Sequence, residues 1–572
     1  MYSNKENANM LTALLVAHNI KRVVVCPGSR NAVLVNDFQE HPALQCYAVT
    51  DERSAGFYAL GLSLADNVPV AVCVTSGTAL LNLAPAVAEA SYRHHGLIVI
   101  SADRPQAWIE QLDGQTLQQV NALAPFVERS IQLPEPTDAI ERWHCNRLIN
   151  EALLSVRQRG RKSVHINVPI SEPLFDFSRP SLSQVRKITQ YEKVINETAF
   201  INNIGRPLLE AQRPMLIIGQ LNIHDNAIDS CLSQLSKRML VVCEPTASDY
   251  AVPFDVALSL IAEQDACMYW PDFVLYLGDT LTSKRMKKFI RKCVEIKPET
   301  EVWHVSEDGQ IHDTFQGQTG SVEGDAQEAL SLLAEWVNNS AMADDTDAFN
   351  LLTQSSKVFV DCWHNLFHLA ENKIDAMDLP FSQAYVVKAF EQSLEDMDYC
   401  YQVHYANSSA IRLANIFSNH YIWANRGVNG IEGSLSTAAG FSIAKEDTVF
   451  CVIGDLSFFY DQNALWNSNL EGNLRILLLN NGCGGIFYNL AGLEKSSACK
   501  QYVAAAHQAN AKGICEQNDI GYIAAYNEED FAIGLATFLT EKTKRPMVYE
   551  VFTDVENDAE TIKKITCLTN VR

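Results

Sequence analysis

Short runs of β-branched and aliphatic residues recur along this chain, and each stops abruptly at small or oxygen-bearing residues. Val449-Phe450-Cys451-Val452-Ile453 gives way to Gly454-Asp455-Leu456-Ser457, and Leu477-Leu478-Leu479 gives way to Asn480-Asn481-Gly482. A run that is apolar at every position has no polar face to offer water, so it belongs in a sheet covered on both sides. Such sheets are parallel, with helices as the crossovers.

Strands of this kind are expected at 22–26, 70–74, 97–101 and 164–168, then at 215–219, 240–243, 273–278 and 301–305. A third group follows at 401–406, 449–453, 474–479 and 547–551. Alternation with helical stretches predicts an α/β protein of three doubly wound parallel-sheet domains, covering 1–185, 195–340 and 350–572. The Asp-, Thr- and Ala-rich stretch 341–348 reads as a solvated linker. The glycines of the second domain do not form Gly-x-Gly-x-x-Gly, so a dinucleotide fingerprint is absent there.

The 572 residues carry 68 acidic against 45 basic side chains, a formal charge of −23. That sign argues against nucleic acid or an anionic membrane as a partner of the general surface. No run approaches the ~20 apolar residues of a membrane span, and the N-terminus lacks the apolar core of a signal peptide. A cytoplasmic protein is expected. Fifteen cysteines without a Cys-x-x-Cys pair, several of them inside apolar runs (Cys26, Cys73, Cys243, Cys451), read as buried thiols.

Asp455 and Asn481, 26 residues apart, would project from the ends of neighbouring strands. A carboxylate, an amide oxygen and a backbone carbonyl, for which Cys483 is the natural candidate, give a hard octahedral cation part of its shell. Mg²⁺ suits that oxygen set, and diphosphate oxygens could complete it. Far upstream, Tyr47-Ala48-Val49-Thr50-Asp51-Glu52 sets Glu52 at a strand-to-helix junction, ahead of a helix rich in small residues.

The two features together resemble the paired signature of thiamine-diphosphate enzymes, in which a glutamate from one domain meets a Gly-Asp…Asn-Asn metal motif from another. The resemblance implies domains of the pyrimidine-binding, central and diphosphate-binding type. It implies thiamine diphosphate with Mg²⁺, Mn²⁺ being a possible substitute. Glu52 would hydrogen-bond the pyrimidine N1′, and Gly454, Asp455, Leu456, Ser457, Asn481, Ile486 and Phe487 would surround the rest of the cofactor. Because the glutamate and the metal motif come from different subunits in that arrangement, at least a homodimer is implied, and a tetramer fits it too.

The loops narrow the family. Pro27-Gly28-Ser29-Arg30, Thr75-Ser76-Gly77-Thr78, Ser101-Ala102-Asp103-Arg104-Pro105, Lys284-Arg285, Ala406-Asn407-Ser408-Ser409-Ala410-Ile411-Arg412 and Asn425-Arg426-Gly427-Val428-Asn429-Gly430-Ile431-Glu432-Gly433 occur in the order of one family. In this the chain is similar to the 2-succinyl-5-enolpyruvyl-6-hydroxy-3-cyclohexene-1-carboxylate synthases, the MenD family of menaquinone biosynthesis, from about residue 10 to residue 555. Such enzymes decarboxylate 2-oxoglutarate and add the succinyl carbanion equivalent in 1,4 fashion to isochorismate.

The resemblance implies that Ser408 and Arg412 hold the far carboxylate of 2-oxoglutarate. Ser29, Arg30, Arg104, Lys284, Arg285 and Arg426 would surround isochorismate. Gln115 and Arg30 would act with Glu52 at the reacting carbons, and Ile431 would prop the cofactor into its bent shape. Both substrates are dianions, so an acidic protein needs guanidinium forks concentrated at the site. Two departures from the family pattern stand out: Gly114 where a relative carries Asn, and Cys483 in place of a third Asn.

The competing enzyme reading is another thiamine-diphosphate 2-oxo acid decarboxylase or carboligase, which would not need so many cationic loops. From a different class, a non-catalytic thiamine-diphosphate or nucleotide-binding protein would have no use for Glu52. His94-His95 reads as a partly exposed helix end, since adjacent helical residues diverge by ~100°. Lys287-Lys288 with Arg291-Lys292 reads as a solvated helix face, and the apolar helix at 11–16 as core.

Overall fold

The computed structural model describes residues 1–157, 162–190, 194–340, 346–490 and 492–568. It contains three sheets in which every paired strand is parallel. The first has spatial order β2-β1-β3-β4-β6-β5, formed by β1 (Arg22–Val25), β2 (Gln45–Ala48), β3 (Ala71–Val74), β4 (Ile98–Asp103), β5 (Val127–Gln132) and β6 (Ser163–Pro169). The second, β11-β10-β9-β7-β8, comprises β7 (Pro214–Ile218), β8 (Leu240–Cys243), β9 (Phe273–Leu277), β10 (Glu301–Ser306) and β11 (Gly320–Glu323). The third, β12-β13-β14-β16-β15, comprises β12 (Tyr401–Tyr405), β13 (Thr448–Gly454), β14 (Leu474–Asn480), β15 (Gly521–Ala525) and β16 (Met547–Phe552).

Alternate residues of each strand feed opposite faces. In the first sheet Val24, Val72 and Val99 enter one core while Val23, Ala71 and Ile98 enter the other. The same split divides Leu216 from Ile217 and Cys451 from Val452 in the other two sheets. Helices on both faces therefore explain why the runs carry no polar positions. Leu11, Leu14 and Leu15 are fully buried in the core, as the sequence suggests.

One core is shared by two sheets. Val24 and Val72 of the first sheet and Cys451 and Leu478 of the third belong to a single cluster, bridged by the helices Glu52–Asp66 and Ser434–Ala444. These helices touch backbone to backbone. A Cβ on Gly61 would lie 2.0 Å from the Thr437 carbonyl oxygen, and one on Gly440 would lie 2.0 Å from that of Tyr58. Neither position can hold a side chain without separating the helices.

Residues 341–345 of the expected linker lie outside the described residues, and the helix Thr346–Asp375 begins within the remainder. That helix lays Phe359, Trp363, Phe367 and Ala370 against Ile217, Val242 and Val274 of the middle sheet. Among the described residues, no helix is long and apolar enough to cross a membrane. All fifteen cysteines are free, and Cys26, Cys73, Cys243 and Cys451 are buried.

The His94-His95 pair follows the end of the helix Ala84–Tyr92, with His94 partly exposed as expected, but both rings are bonded inward. His95 is buried and hydrogen-bonded to Ser63 Oγ at 2.9 Å. His94, with a left-handed backbone (φ 51°), meets Asp279 at 2.7 Å and Asp308 at 3.3 Å. It thus locks the first sheet's helix layer to the middle unit. Burial opposes its charge, but the two carboxylates outweigh burial and raise the imidazole pKa to about 10.

Two outcomes are expected. Gly440→Ala should destabilise the fold by about 1–3 kcal/mol or more, read as a lowered denaturation midpoint, because the clash is with backbone. The charge on His94 contributes fully below an unfolded pKa of about 6.5, and the contribution fades as pH rises through about 10. The stability gap between wild type and His94→Gln should therefore be widest near pH 6 and narrow toward pH 10, as measured by denaturant titration at each pH.

Candidate active site

The loops that follow the first sheet's strands converge at its carboxyl edge. Behind β1, Ser29 is exposed, and Arg30 donates to the Ile170 carbonyl at 3.0 Å while pairing with Glu172 at 3.1 Å. Behind β4, Arg104 reaches Ser76 Oγ and the Gln115 carbonyl, each at 3.2 Å, and pairs with Asp113 at 2.8 Å. Gln115 takes a left-handed backbone (φ 56°) beside Gly77. At Gly114 a Cβ would meet nothing within 4 Å, so the departure from Asn there leaves open space.

Glu52 opens the helix behind β2. Asp51 caps that helix by accepting from the amides of Arg53 (2.9 Å) and Ser54 (3.3 Å), which fixes the position of the next side chain. The Glu52 carboxylate accepts one hydrogen bond from Asn82 Nδ2, at 3.1 Å.

At the edge of the third sheet, β13 ends at Gly454 and delivers Asp455, which is 3 % exposed. Its Oδ2 accepts from the amides of Asn481 (3.2 Å) and Cys483 (3.1 Å), so the loop behind β14 is tied to the carboxylate. Asn481 donates its amide nitrogen to Asp558 Oδ2 at 2.8 Å, leaving Oδ1 as the acceptor end. Burial, reinforced by Asp455, raises the Cys483 thiol to about 11, so it stays protonated. Only its carbonyl is a suitable oxygen ligand. Phe487 packs against Gly484 of the same loop.

A cleft of about 730 Å³ runs between the middle unit and the third sheet, and Lys284, Arg285, Arg412, Ile486 and Tyr488 line it. Lys284 and Arg285 open the helix Lys284–Ile296, whose start is held by Glu244, a fully buried acid accepting from the amides of Thr282 and Ser283 at 2.8 Å. Arg285 pairs with Asp255 at 3.1 Å, whereas Arg412 has no carboxylate within ion-pairing distance among the described residues. Ser408 caps the helix that carries Arg412 with an unfavourable backbone for a non-glycine residue, φ 72° and ψ −122°. On the basic helix face, Lys288 and Lys292 are exposed as expected, but Lys287 and Arg291 are half-buried. Arg291 donates to the Thr314 carbonyl at 2.9 Å.

Arg426 and Ile431 sit on one loop. Arg426 donates to Asn407 Oδ1 at 2.7 Å, and Asn407 Nδ2 returns bonds to the carbonyls of Asn425 and Gly430. Ile431 is 37 % exposed, a large aliphatic left uncovered beside polar loops.

Within one chain, then, the structure gathers Ser29, Arg30, Arg104, Gln115 and Glu52 at one edge. It gathers Asp455, Asn481, Cys483 and Phe487 at another, and Lys284, Arg285, Arg412 and Ile486 in the cleft. Among the described residues, no hydrogen bond or ion pair joins Glu52 to the Asp455 loop. Sequence reasoning missed His507, whose Nε2 lies 3.5 Å from Asp455 Oδ2 and whose pKa that contact raises. It also missed Glu89, Glu244 and the bonding role of Asn407. No local pattern marks any of them.

The residues suit the cofactor. Asp455, Asn481 Oδ1 and the Cys483 carbonyl are all hard oxygens, matched to Mg²⁺ rather than zinc. A Cβ on Gly454 would meet nothing within 4 Å, so the strand end has room for a diphosphate. The family model described as thiamine pyrophosphate enzyme, N-terminal TPP binding domain, matches residues 5–124, and that of the C-terminal TPP binding domain matches residues 405–551. Among curated relatives, a 2-succinyl-5-enolpyruvyl-6-hydroxy-3-cyclohexene-1-carboxylate synthase of Bacteroides fragilis is 42 % identical, covering 98 % of this chain and 99 % of its own length. The enzymes of the same name from Bacteroides thetaiotaomicron (41 %, 98 % of each chain) and Phocaeicola vulgatus (40 %, 99 % of this chain and 98 % of that one) are similarly close. The chain therefore belongs to the thiamine-diphosphate-dependent 2-succinyl-5-enolpyruvyl-6-hydroxy-3-cyclohexene-1-carboxylate synthase family.

Proposed function

We propose that this enzyme decarboxylates 2-oxoglutarate and joins the remaining succinyl unit in 1,4 fashion to isochorismate, releasing CO₂, as a step of menaquinone biosynthesis in the cytoplasm. The observation that carries this reading beyond the family name is the cleft in which Lys284, Arg285 and Arg412 converge beside Ile486. Two dicarboxylic substrates require several cations at one site, and in a protein whose overall charge is −23 a local concentration of cations is what lets a dianion approach against the general surface.

Thiamine diphosphate, when bound, supplies a thiazolium carbon able to hold the acyl unit during loss of CO₂. The chain's own residues do the rest. Asp455, Asn481 and the Cys483 carbonyl would hold the metal, and Gly454, Leu456, Ser457, Ile486 and Phe487 would surround the diphosphate end. Ile431 would lie against the cofactor. Glu52 holds a proton at the pyrimidine N1′. Ser408 and Arg412 take the distal carboxylate of 2-oxoglutarate, while Ser29, Arg30, Arg104, Gln115, Lys284, Arg285 and Arg426 orient isochorismate, with Arg30 and Gln115 nearest the reacting carbons.

This division follows 1–185, 195–340 and 350–572 as pyrimidine-binding, central and diphosphate-binding domains. In the working homodimer, extended to a tetramer when dimers pair, Glu52 of one protomer meets the metal loop of its partner. Leu81, Trp108 and Leu112, large apolar side chains left exposed on the segments that follow the first sheet's strands, support that pairing as surface for a second copy to cover.

Purified enzyme with thiamine diphosphate and Mg²⁺ should consume 2-oxoglutarate in an isochorismate-dependent manner. Rapid pyruvate turnover with no need for isochorismate would instead indicate another carboligase or decarboxylase. Glu52→Gln should lower kcat by about 10²- to 10⁴-fold, while cofactor binding followed by fluorescence titration stays within a few-fold of wild type. Arg412→Ala should raise KM for 2-oxoglutarate by about ten- to a hundredfold and disturb KM for isochorismate far less.

A further inference from the structure

The loop 424–431 carries Arg426 and Ile431, and it is held from its own unit and from both of the others. The Ala424 carbonyl accepts from Arg93 Nη1 at 2.6 Å and from Gln220 Nε2 at 2.7 Å, and the carbonyls of Asn425 and Gly430 accept from Asn407. The amides of Gly427 and Val428 remain, and both donate to one carboxylate. Glu89, 3 % exposed, accepts from Gly427 at 2.8 Å on Oε1 and from Val428 at 2.6 Å on Oε2. Glu89 lies on the helix Ala84–Tyr92 of the first unit.

The approach of that helix is close enough to dictate residue 427. A Cβ there would lie 2.5 Å from the Glu89 carbonyl oxygen and 3.0 Å from the Arg93 amide. Two consecutive amides aimed at a buried carboxylate form a short, directional clamp, and hydrogen bonds to an ionised acceptor are stronger than neutral ones. Arg426 precedes that clamp and Ile431 follows it, the two side chains to which the proposed function gives the acceptor and the cofactor. Arg93 anchors the same helix end by donating from Nε to Asn222 at 2.7 Å, so the helix is braced against the middle unit as well.

We infer that Glu89 is a positioning residue: a carboxylate of the first unit that sets the backbone of the 424–431 loop and so aims Arg426 at the acceptor's carboxylate and Ile431 at the cofactor. This rests on the function proposed above for those two side chains, but the clamp itself is independent of it. Removing the carboxylate should free two amides and let the loop sample orientations in which the guanidinium no longer meets its anion.

The test combines amide hydrogen exchange of the ligand-free full-length enzyme with steady-state kinetics. In Glu89→Ala, the amides of residues 427 and 428 should exchange at least about tenfold faster, and KM for isochorismate should rise about tenfold while KM for 2-oxoglutarate moves less than about twofold. Glu89→Gln retains an oxygen able to accept one of the two bonds and should fall between the two on both readouts, whereas a bulk packing role would be restored in full by this isosteric side chain. If Glu89→Ala fails to fold, Glu89→Gln carries the same test. Unchanged exchange at 427 and 428, or faster exchange with KM for isochorismate unmoved, overturns the inference. A wild-type enzyme without isochorismate-dependent turnover overturns the functional reading instead, and the exchange rates then decide the clamp alone.

Discussion

The direct contact between the helices Glu52–Asp66 and Ser434–Ala444 organises this molecule. With Gly61 and Gly440 at the crossing, the helix axes approach until carbonyl oxygens fill the space where side chains would be. Around that contact the first and third sheets bury one continuous core, reinforced by the hydrogen bond from Ser436 Oγ to Ser54 Oγ at 3.1 Å. The start of the first helix is also fixed by the third unit. Arg53 donates to the Tyr460 carbonyl and Asn463 donates to Asp51, both at 2.7 Å. Glu52, lying between those two anchored residues, inherits its orientation from this packing. The acid proposed for cofactor activation is therefore aimed by the same interface that holds two sheets together.

The electrostatics follow from concentrating cations in an acidic protein. Arg30, Arg104 and Arg285 each rest against a carboxylate, Glu172, Asp113 and Asp255 respectively. Such pairs keep the guanidinium groups extended and partly desolvated, and they are open enough for an arriving dianion to compete with the resident acid. Among the described residues Arg412 has no such ion pair, which leaves its guanidinium open to the cleft. Fully buried Glu244 plays a different part. It holds the start of the Lys284–Ile296 helix through two amides, and so fixes where Lys284 and Arg285 emerge.

Much of this was legible in the chain because the informative signals are local. Central strands such as β13 and β14 are apolar throughout since both faces are covered, and the sequence marks them within a residue or two. Some edge strands are different. β5 and β11 mix polar with apolar residues, so Val127–Gln132 and Gly320–Glu323 carry no continuous run, and β15 (Gly521–Ala525) is a short run of mostly small residues. The same rule governs the site. Asp455, Asn481 and Glu52 stand at strand ends within recognisable motifs. By contrast, Glu89 and His507 acquire their roles from contacts with residues 338 positions and 52 positions away, which no local pattern encodes. The pairing of His94 with Asp279 and Asp308 is hidden for the same reason, since both acids lie on the middle unit.

Ser408 holds a backbone conformation that only glycine, and to a lesser degree asparagine or aspartate, accepts readily. None of those residues offers a hydroxyl. Exchanging it for glycine would relax the chain at the cost of the alcohol, and exchanging it for threonine would keep the alcohol while adding a branch to an already crowded torsion. This spot in the chain thus has almost no conservative replacement, and tolerance to mutation should fall off there more sharply than its partial exposure alone would suggest.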